Sequence, residues 1–427
     1  MTDFFIPAQL HLPTVWLTDA VAFPFLKNVH NVHEVIIQES DRKMLRTLKH
    51  ERLLYCSNHP TQIEPNITWL VAQKIGARFY SMAARRAYDY LGGAVGMLFR
   101  NTGGFSVIPG IADRESIAMA RKLLARPAGK LALYPEGEPM SSENDSLMPF
   151  QPGIVKIGWN ALEDARKQDP GADVFILPAF IKYVITSSRK EVERDLESAI
   201  SVVAHRLKVD LGQRNLLRKF LAIGRVLTEQ AEQEYGIQPG PDEDFDYRIG
   251  HLRHVMLDNV ADRLGVRHYN KSNHAITKLR HLTAVLELVE LKHPQAGIDP
   301  SAEEFEWGMR ECVKAYDFIV MKRDYLMSRP TPERFYEWLA RYESLVLGKR
   351  PRMLGGEPSR LPRKAVVSFA KPFKLGDYVD DYKQDRKGTH ARILQRLHDD
   401  IEDMLNRSED LTYTLVDPYD VGEDLKP

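Results

Sequence analysis

His59 and Glu64 stand five positions apart in the stretch YCSNHPTQIE, immediately after the apolar run 53–56. A carboxylate that accepts from one imidazole nitrogen fixes the ring's tautomer and leaves the other nitrogen free to take a proton. With an ordinary pKa of about 6.5, such a histidine is a general base near neutral pH. The four intervening residues are enough for a turn that brings the carboxylate back to the ring. A second polar group, Pro135-Glu136-Gly137, follows the apolar run 130–134. Glu136 can orient a hydroxyl or hold a loop, and Gly137 permits a close backbone approach. Gly103, Gly104 and Phe105 open a third short run, where they can line a cleft or form a turn. Cys56 lies inside an apolar run, where thiols are usually inert, so it is not expected to be a nucleophile. The pairs His30/His33 and His251/His254 lack further ligands at metal-binding spacing. There is no Gly-x-Ser-x-Gly elbow, dinucleotide fingerprint or phosphate loop.

Polar groups at the tips of two apolar strands are what an α/β sheet uses to build a site, because strand ends are rigid and converge on one edge. The patterning predicts strands at 35–37, 53–56, 79–82, 105–108, 130–134 and 174–184. Helices are expected at 41–49, from Glu64-Pro65 onward, and at 85–99, 113–124 and 152–167. That alternation predicts an α/β fold, a mixed sheet flanked by helices. From residue 187 the strand-like runs vanish. Phe305, Met309, Cys312, Tyr316 and Ile319 draw one helical stripe; Ile276, Leu279, Leu282, Leu286 and Val289 draw another. After a Pro/Gly/Arg-rich stretch, a strand returns at 365–369 and a last helix at 386–405. The expected organisation is therefore residues 1–186 as the first part of the α/β domain and 187–361 as a large all-helical insertion. Residues 362–408 supply the domain's last strand and helix, and 409–427 is an acidic tail expected to fray. The insertion is expected to serve as a lid, a channel wall or an oligomer contact.

A chain of 427 residues suggests about two domains. Lys+Arg and Asp+Glu both number 59, so no net field favours nucleic acid. Two cysteines, far apart, make no disulfide framework and favour a reducing compartment. The amino-terminal stretch lacks a basic region and is broken by prolines, so no signal peptide is expected. With no apolar run long enough to span a bilayer, the expected location is cytoplasmic with peripheral membrane association. Residues 4–26, rich in Phe and Trp, either pack on the core or dip into a headgroup layer.

Taken together, the blocks resemble the phospholipid and glycerol acyltransferases typified by 1-acylglycerol-3-phosphate acyltransferase. Four segments carry the resemblance, in the family's order: NHPTQIE with His59 and Glu64, GGFSVIPG from Gly103 to Gly110, PEGEP from Pro135 to Pro139, and VFILPAF with Pro178. It covers roughly 30–185 and resumes at 363–405. The resemblance implies His59 as general base oriented by Glu64, and substrate binding by Asn58, Gly103, Gly104, Phe105, Glu136, Gly137 and Pro178. It implies an acyl thioester donor (acyl-CoA or acyl-carrier protein) as co-substrate, no metal and no bound cofactor. The acceptor would be a glycerolipid hydroxyl at a membrane surface, in phospholipid biosynthesis. Two departures matter. The family's acid is more often Asp, and the arginines it associates with the acceptor's phosphate are matched here by Pro109 and Pro139. Arg85, Arg86, Arg100, Arg114 and Lys156 are the cations left to replace them. The alternatives are an O- or N-acyltransferase of the same fold with a non-phosphate lipid acceptor, and an inactive lipid- or partner-binding protein.

Overall fold

Along the run 53–57 every side chain is buried, and successive ones go to opposite faces. Leu54 and Cys56 enter one apolar cluster; Leu53 and Tyr55 enter another. A strand buried on both faces is the signature of a central position in a layered α/β fold. The computed structural model describes residues 4–137, 145–240, 243–348 and 360–422, in two compact units.

The α/β unit begins with α1 (Leu12–His30), β1 (Val32–Ile37), α2 (Glu39–Thr47), β2 (Leu53–Ser57) and α3 (Glu64–Ile75). It continues with β3 (Tyr80–Ala84), a 3-10 segment (Arg85–Gly93), α4 (Ala94–Asn101), β4 (Gly104–Val107) and α5 (Arg114–Ala125). Next come β5 (Lys130–Leu133), α6 (Gly153–Arg166) and β6 (Phe175–Ile185). The helical unit, given below, then intervenes.

The strand order is β1-β7-β6-β2-β5-β3-β4, where β7 (Arg363–Phe369) arrives after the helical unit, and β8 (Phe373–Lys374) also pairs with β6. Strands β6, β2, β5, β3 and β4 run parallel. β7 runs against β6, and β1 runs with β7. The expected mixed sheet flanked by helices is the fold observed. Helices α5, α6 and the last helix cover one face, with Leu124, Leu162 and Leu397 in its cluster; α1, α2 and α3 cover the other, with Leu26, Leu45 and Val71.

Pro178 sits in the middle of β6, a central strand where its missing N–H would ordinarily cost a ladder bond. It falls where β6 changes neighbours, between the β8 pairing at 175–176 and the β7 pairing from 179. Its carbonyl accepts from Ala370 N at 3.1 Å. Pro178 is therefore a buried sheet residue at a change of pairing.

Two expectations are corrected. The stretch 85–99 is not one helix: Leu91, Gly92 and Gly93 take φ of 51°, 64° and 92°, which ends the 3-10 segment and restarts the chain as α4. The amino-terminal stretch contains a helix not anticipated, because Pro13 and Pro24 look like breakers. Pro13 occupies the first turn, where its missing N–H is harmless, and α1 continues through Pro24. No helix is long and apolar enough to cross a membrane among the described residues.

The helical unit comprises α7 (Arg189–Leu207), α8 (Leu216–Glu234), α9 (Phe245–Leu264), α10 (Ala275–Glu290), α11 (Ala302–Val320), α12 (Arg323–Ser328) and α13 (Pro332–Leu347). The stripes read from sequence are buried at Leu279, Leu282 and Leu286 and at Cys312, Tyr316 and Ile319. The chain then returns through β7 and β8 to α14 (Val379–Gln384) and α15 (Arg386–Arg407). Of the tail expected to fray from Glu409, the described part, to Gly422, is held instead. Leu415 N donates to Pro330 O at 2.9 Å, Tyr419 N to Met327 O at 3.0 Å, and Thr412 Oγ1 to Glu333 at 2.6 Å. Short polar side chains and two backbone bonds tie it to the helical unit, which its acidic composition conceals.

Candidate active site

β2 leads into α3 on one face of the sheet, whereas its neighbour β5 leads into α6 on the other. Adjacent strands whose helices diverge open a crevice at their carboxyl ends, the standard site position in an open α/β sheet. His59 follows β2 there, and Glu136 follows β5.

Glu64 is fully buried at the first position of α3. Its Oε2 lies 2.6 Å from His59 Nδ1 and accepts from Thr61 N at 3.2 Å. Its Oε1 accepts from Thr61 Oγ1 at 2.6 Å and from Tyr183 OH at 2.7 Å. Burial pushes this carboxyl up, but the hydrogen bond and charge of His59 and the donors Thr61 and Tyr183 outweigh it, leaving the pKa below the usual value. An ionised Glu64 accepting from Nδ1 puts the exchangeable site of a neutral imidazole on Nε2. Among the described residues, Nε2 has no hydrogen-bond partner, and the side chain is 12% exposed.

The ring itself is clamped. Tyr134 stacks on it with centroids 4.2 Å apart, and the Tyr134 hydroxyl bonds Thr68 Oγ1 at 3.0 Å. The backbone N of His59 donates to Glu136 Oε1 at 2.7 Å, and Met148 N donates to Glu136 Oε2 at 2.9 Å. Glu136 thus ties the β2 turn to the loop after β5, the loop-holding role of the two open to it. Burial raises its pKa. Gly137 takes φ 85° to close the turn in which its N donates to Tyr134 O.

Other residues expected to bind substrate have structural tasks. Asn58 pairs with the backbone of Ile181 in both directions, at 2.8 and 3.0 Å, extending the β2–β6 ladder past the end of β2. Gly103 has φ 98°, and a Cβ on Gly104 would fall 2.8 Å from Phe99 O, so this pair lets the chain turn tightly from α4 into β4. Phe105 is a core side chain. Pro109 follows β4 on the site edge, and Pro139 lies outside the described residues. Of the cations named above, Arg85, Arg86, Arg114 and Lys156 follow the carboxyl ends of strands, on the site's edge. Arg85 is buried and paired with Asp89 at 2.8 Å, and Arg100 lies at the far end of α4.

Sequence reasoning missed Thr61, Tyr134, Tyr183 and Arg363. Thr61 was legible in principle, as a turn hydroxyl just ahead of a helix. Tyr183 and Arg363 were not, because their roles depend on how far β6 extends past β2 and on its pairing with β7. The buried Arg363 guanidinium lies 4.6 Å over the Tyr183 ring; burial pushes it down to about 10 while the charge of Glu64 raises it. Cys56 is fully buried, and burial pushes its thiol up, away from the reactive thiolate. Among the described residues, His398, Asp399 and Glu402 offer ligand atoms within 4.8 Å of one another. They belong to an outer turn of α15, far along the chain from His59, and carry no part in this site.

The site thus sets a buried carboxylate behind a histidine whose other ring nitrogen has no partner among the described residues, at the crevice of an α/β sheet. Residues 31–182 match the family model Acyltransferase, and the protein carries an acyltransferase domain there. It is an acyltransferase, acting in lipid metabolism with an acyl donor and a glycerolipid-like acceptor. No curated protein matches the chain.

Proposed function

We propose that the protein transfers a fatty acyl group from an acyl thioester, acyl-CoA or acyl-carrier protein, to a hydroxyl of a glycerolipid such as 1-acylglycerol-3-phosphate. One observation carries this reading: Glu64 holds Nδ1 of His59 at 2.6 Å while Nε2 is left without a partner among the described residues. His59 Nε2 takes the proton of the acceptor hydroxyl as its oxygen attacks the thioester carbonyl. Glu64, kept ionised by Thr61 and Tyr183, stabilises the resulting imidazolium. Collapse of the tetrahedral intermediate breaks the C–S bond, and the imidazolium returns its proton to the departing sulfur. The proton inventory closes on His59 alone, so the reading calls for no metal or bound cofactor. It places the protein in the cytoplasm, peripherally on a membrane where its lipid acceptor resides.

Purified protein incubated with a labelled acyl thioester and a panel of lysolipids and glycerol phosphates is expected to give one labelled ester. His59→Ala is expected to lower its formation by roughly 10²–10⁴. Turnover of that variant within about threefold of the parent would falsify the assignment of the base.

A second reading, a lipid acceptor without phosphate, is favoured by Pro109 at the family's arginine position and by the pairing of Arg85 with Asp89. Competition by a phosphate-bearing lysolipid separates the two.

A further inference from the structure

The excursion between β3 and β4 is unlike the other crossovers of this sheet. From Tyr90 to Phe99 it carries no charged residue, and its apolar side chains face outward: Leu91 is 84% exposed, Met97 63% and Leu98 46%. Leu91 holds φ 51°, a left-handed conformation that favours glycine, and stands beside Gly92 and Gly93 at the turn. The exposure does not come from loose packing. Gly96 lets α4 lie directly on the 3-10 segment, where a Cβ would meet Tyr88 O at 2.3 Å, and Phe99 packs edge-on against Tyr88. A braced segment that spends backbone strain to present a leucine to solvent is built for an apolar partner.

Its position says which partner. The excursion leaves from the carboxyl end of β3, two strands from β2 and so about 10 Å along the edge that carries His59. A right-handed β3-α4-β4 crossover puts α4 on the sheet face that also carries α1. The stretch that leads into α1 is joined to the end of α4: Gln9 N donates to Arg100 O and His11 N to Asn101 O, both at 2.9 Å. α1 buries Val15, Ala22, Leu26 and His30 and leaves Leu12, Trp16, Leu17, Val21 and Phe25 outside, with Lys27 the only charged residue among those exposed on it. Within residues 85–101 Arg85 is buried on the single acid Asp89, and Arg86 and Arg100 are the cations at its two ends, in a chain whose net charge is zero. An uncharged apolar surface with a basic fringe complements an anionic lipid surface.

We propose that residues 90–98, continuous with the outer side of α1, insert into a lipid bilayer with Leu91 at the tip, and so seat the mouth of the His59 crevice against the membrane from which the acceptor enters. The inference rests on the acyl-transfer reading for its purpose, though not for the binding itself.

The test uses the full chain and vesicles of phosphatidylcholine with and without phosphatidylglycerol. Leu91→Gly removes the apolar tip and relieves the left-handed strain, so its melting temperature is expected to hold or rise. Its partitioning onto vesicles should fall about tenfold, as for loss of one buried leucine. Met97→Ser should fall by a similar factor, and phosphatidylglycerol should strengthen binding of the parent. Turnover on acceptor presented in vesicles should drop in parallel, while turnover on a dispersed short-chain lysolipid with a short acyl-CoA stays unchanged. Partitioning of both variants within about twofold of the parent overturns the proposal. So does a change from dimer to monomer in sedimentation with partitioning intact, which would assign the surface to a second copy of the chain. If no thioester supports transfer at all, the catalytic reading fails while the partitioning measurement still decides this one.

Discussion

In the proposed mechanism, activity at the residue scale depends on one buried carboxylate, Glu64, staying ionised. Glu64 accepts four hydrogen bonds, and the set identifies which contacts matter. Glu64→Asp is expected to keep substantial activity, because Asp is the commoner acid at this place in the family. Glu64→Gln should lose at least tenfold through loss of the imidazolium's counter-charge; equal rates for the two variants in the labelled-thioester assay would make Glu64 structural. Tyr183→Phe removes a donor to the charged form, a bond of roughly 1.5–3 kcal/mol. The Glu64 pKa then rises toward its ordinary value, and the acid limb of kcat/KM should move to higher pH. A pH profile superimposable on the parent's would reduce Tyr183 to packing. The same carboxylate is linked to folding. Its folded pKa lies below 4.5, so its stabilisation is present above that value and is lost as pH falls through the folded pKa.

Among elements, the strand ends are held by residues that resemble substrate binders in sequence. Asn58 acts as an added ladder rung between β2 and β6, and Asn58→Ala leaves the Ile181 N–H and C=O without their side-chain partner in the interior. Each such group costs about 1–3 kcal/mol, so thermal melting should show a clear loss, with residual activity falling as His59 loses its seat. Gly104→Ala drives a methyl to 2.8 Å from the Phe99 carbonyl, a backbone atom that cannot rotate away. We expect a destabilisation of about 1–3 kcal/mol with KM for acyl thioester unchanged in the folded fraction. A raised KM without lost stability would restore a substrate-binding role to this glycine.

Each unit of the whole molecule has its own apolar interior, and the α/β unit brings the two ends of the insertion together. Thr186 N donates to Pro362 O at 2.9 Å, and Ile185 pairs with Arg363, so the chain leaves and re-enters the sheet at one point. A Gly/Ser linker can therefore replace 187–361 without straining β6 or β7. The excision must also remove 412–427, because Leu415 and Thr412 take their partners from the helical unit. The shortened protein is expected to melt cooperatively and to retain transfer of short acyl chains. Failure to fold would show that the sheet depends on the helices spliced into it. Keeping 412–427 in the excised protein should lower solubility by exposing Leu415, which sedimentation would reveal.

Much of this molecule was legible in the residues alone. Apolar runs of four or five ending in Asn-His or Pro-Glu-Gly specify buried strands with polar tips, since few other structures satisfy both patterns. The helical stripes of α10 and α11 follow from a period that only one-sided burial explains. The His59–Glu64 contact was readable too, because five residues and a helix start constrain it locally. What sequence could not decide is everything set by register between distant segments. Asn58 reaches Ile181, and Glu64 reaches Tyr183, only because β6 runs on past the end of β2. Arg363 comes over Tyr183 only because β7 pairs antiparallel with β6 after 170-odd residues of intervening chain. Glu136 could have faced a hydroxyl or a backbone; the fold gave it two N–H groups to hold, one from the turn after β2 and one from the loop after β5. Local chemistry is written in short spacings, whereas the partner of a buried polar atom is chosen by which strands end up side by side.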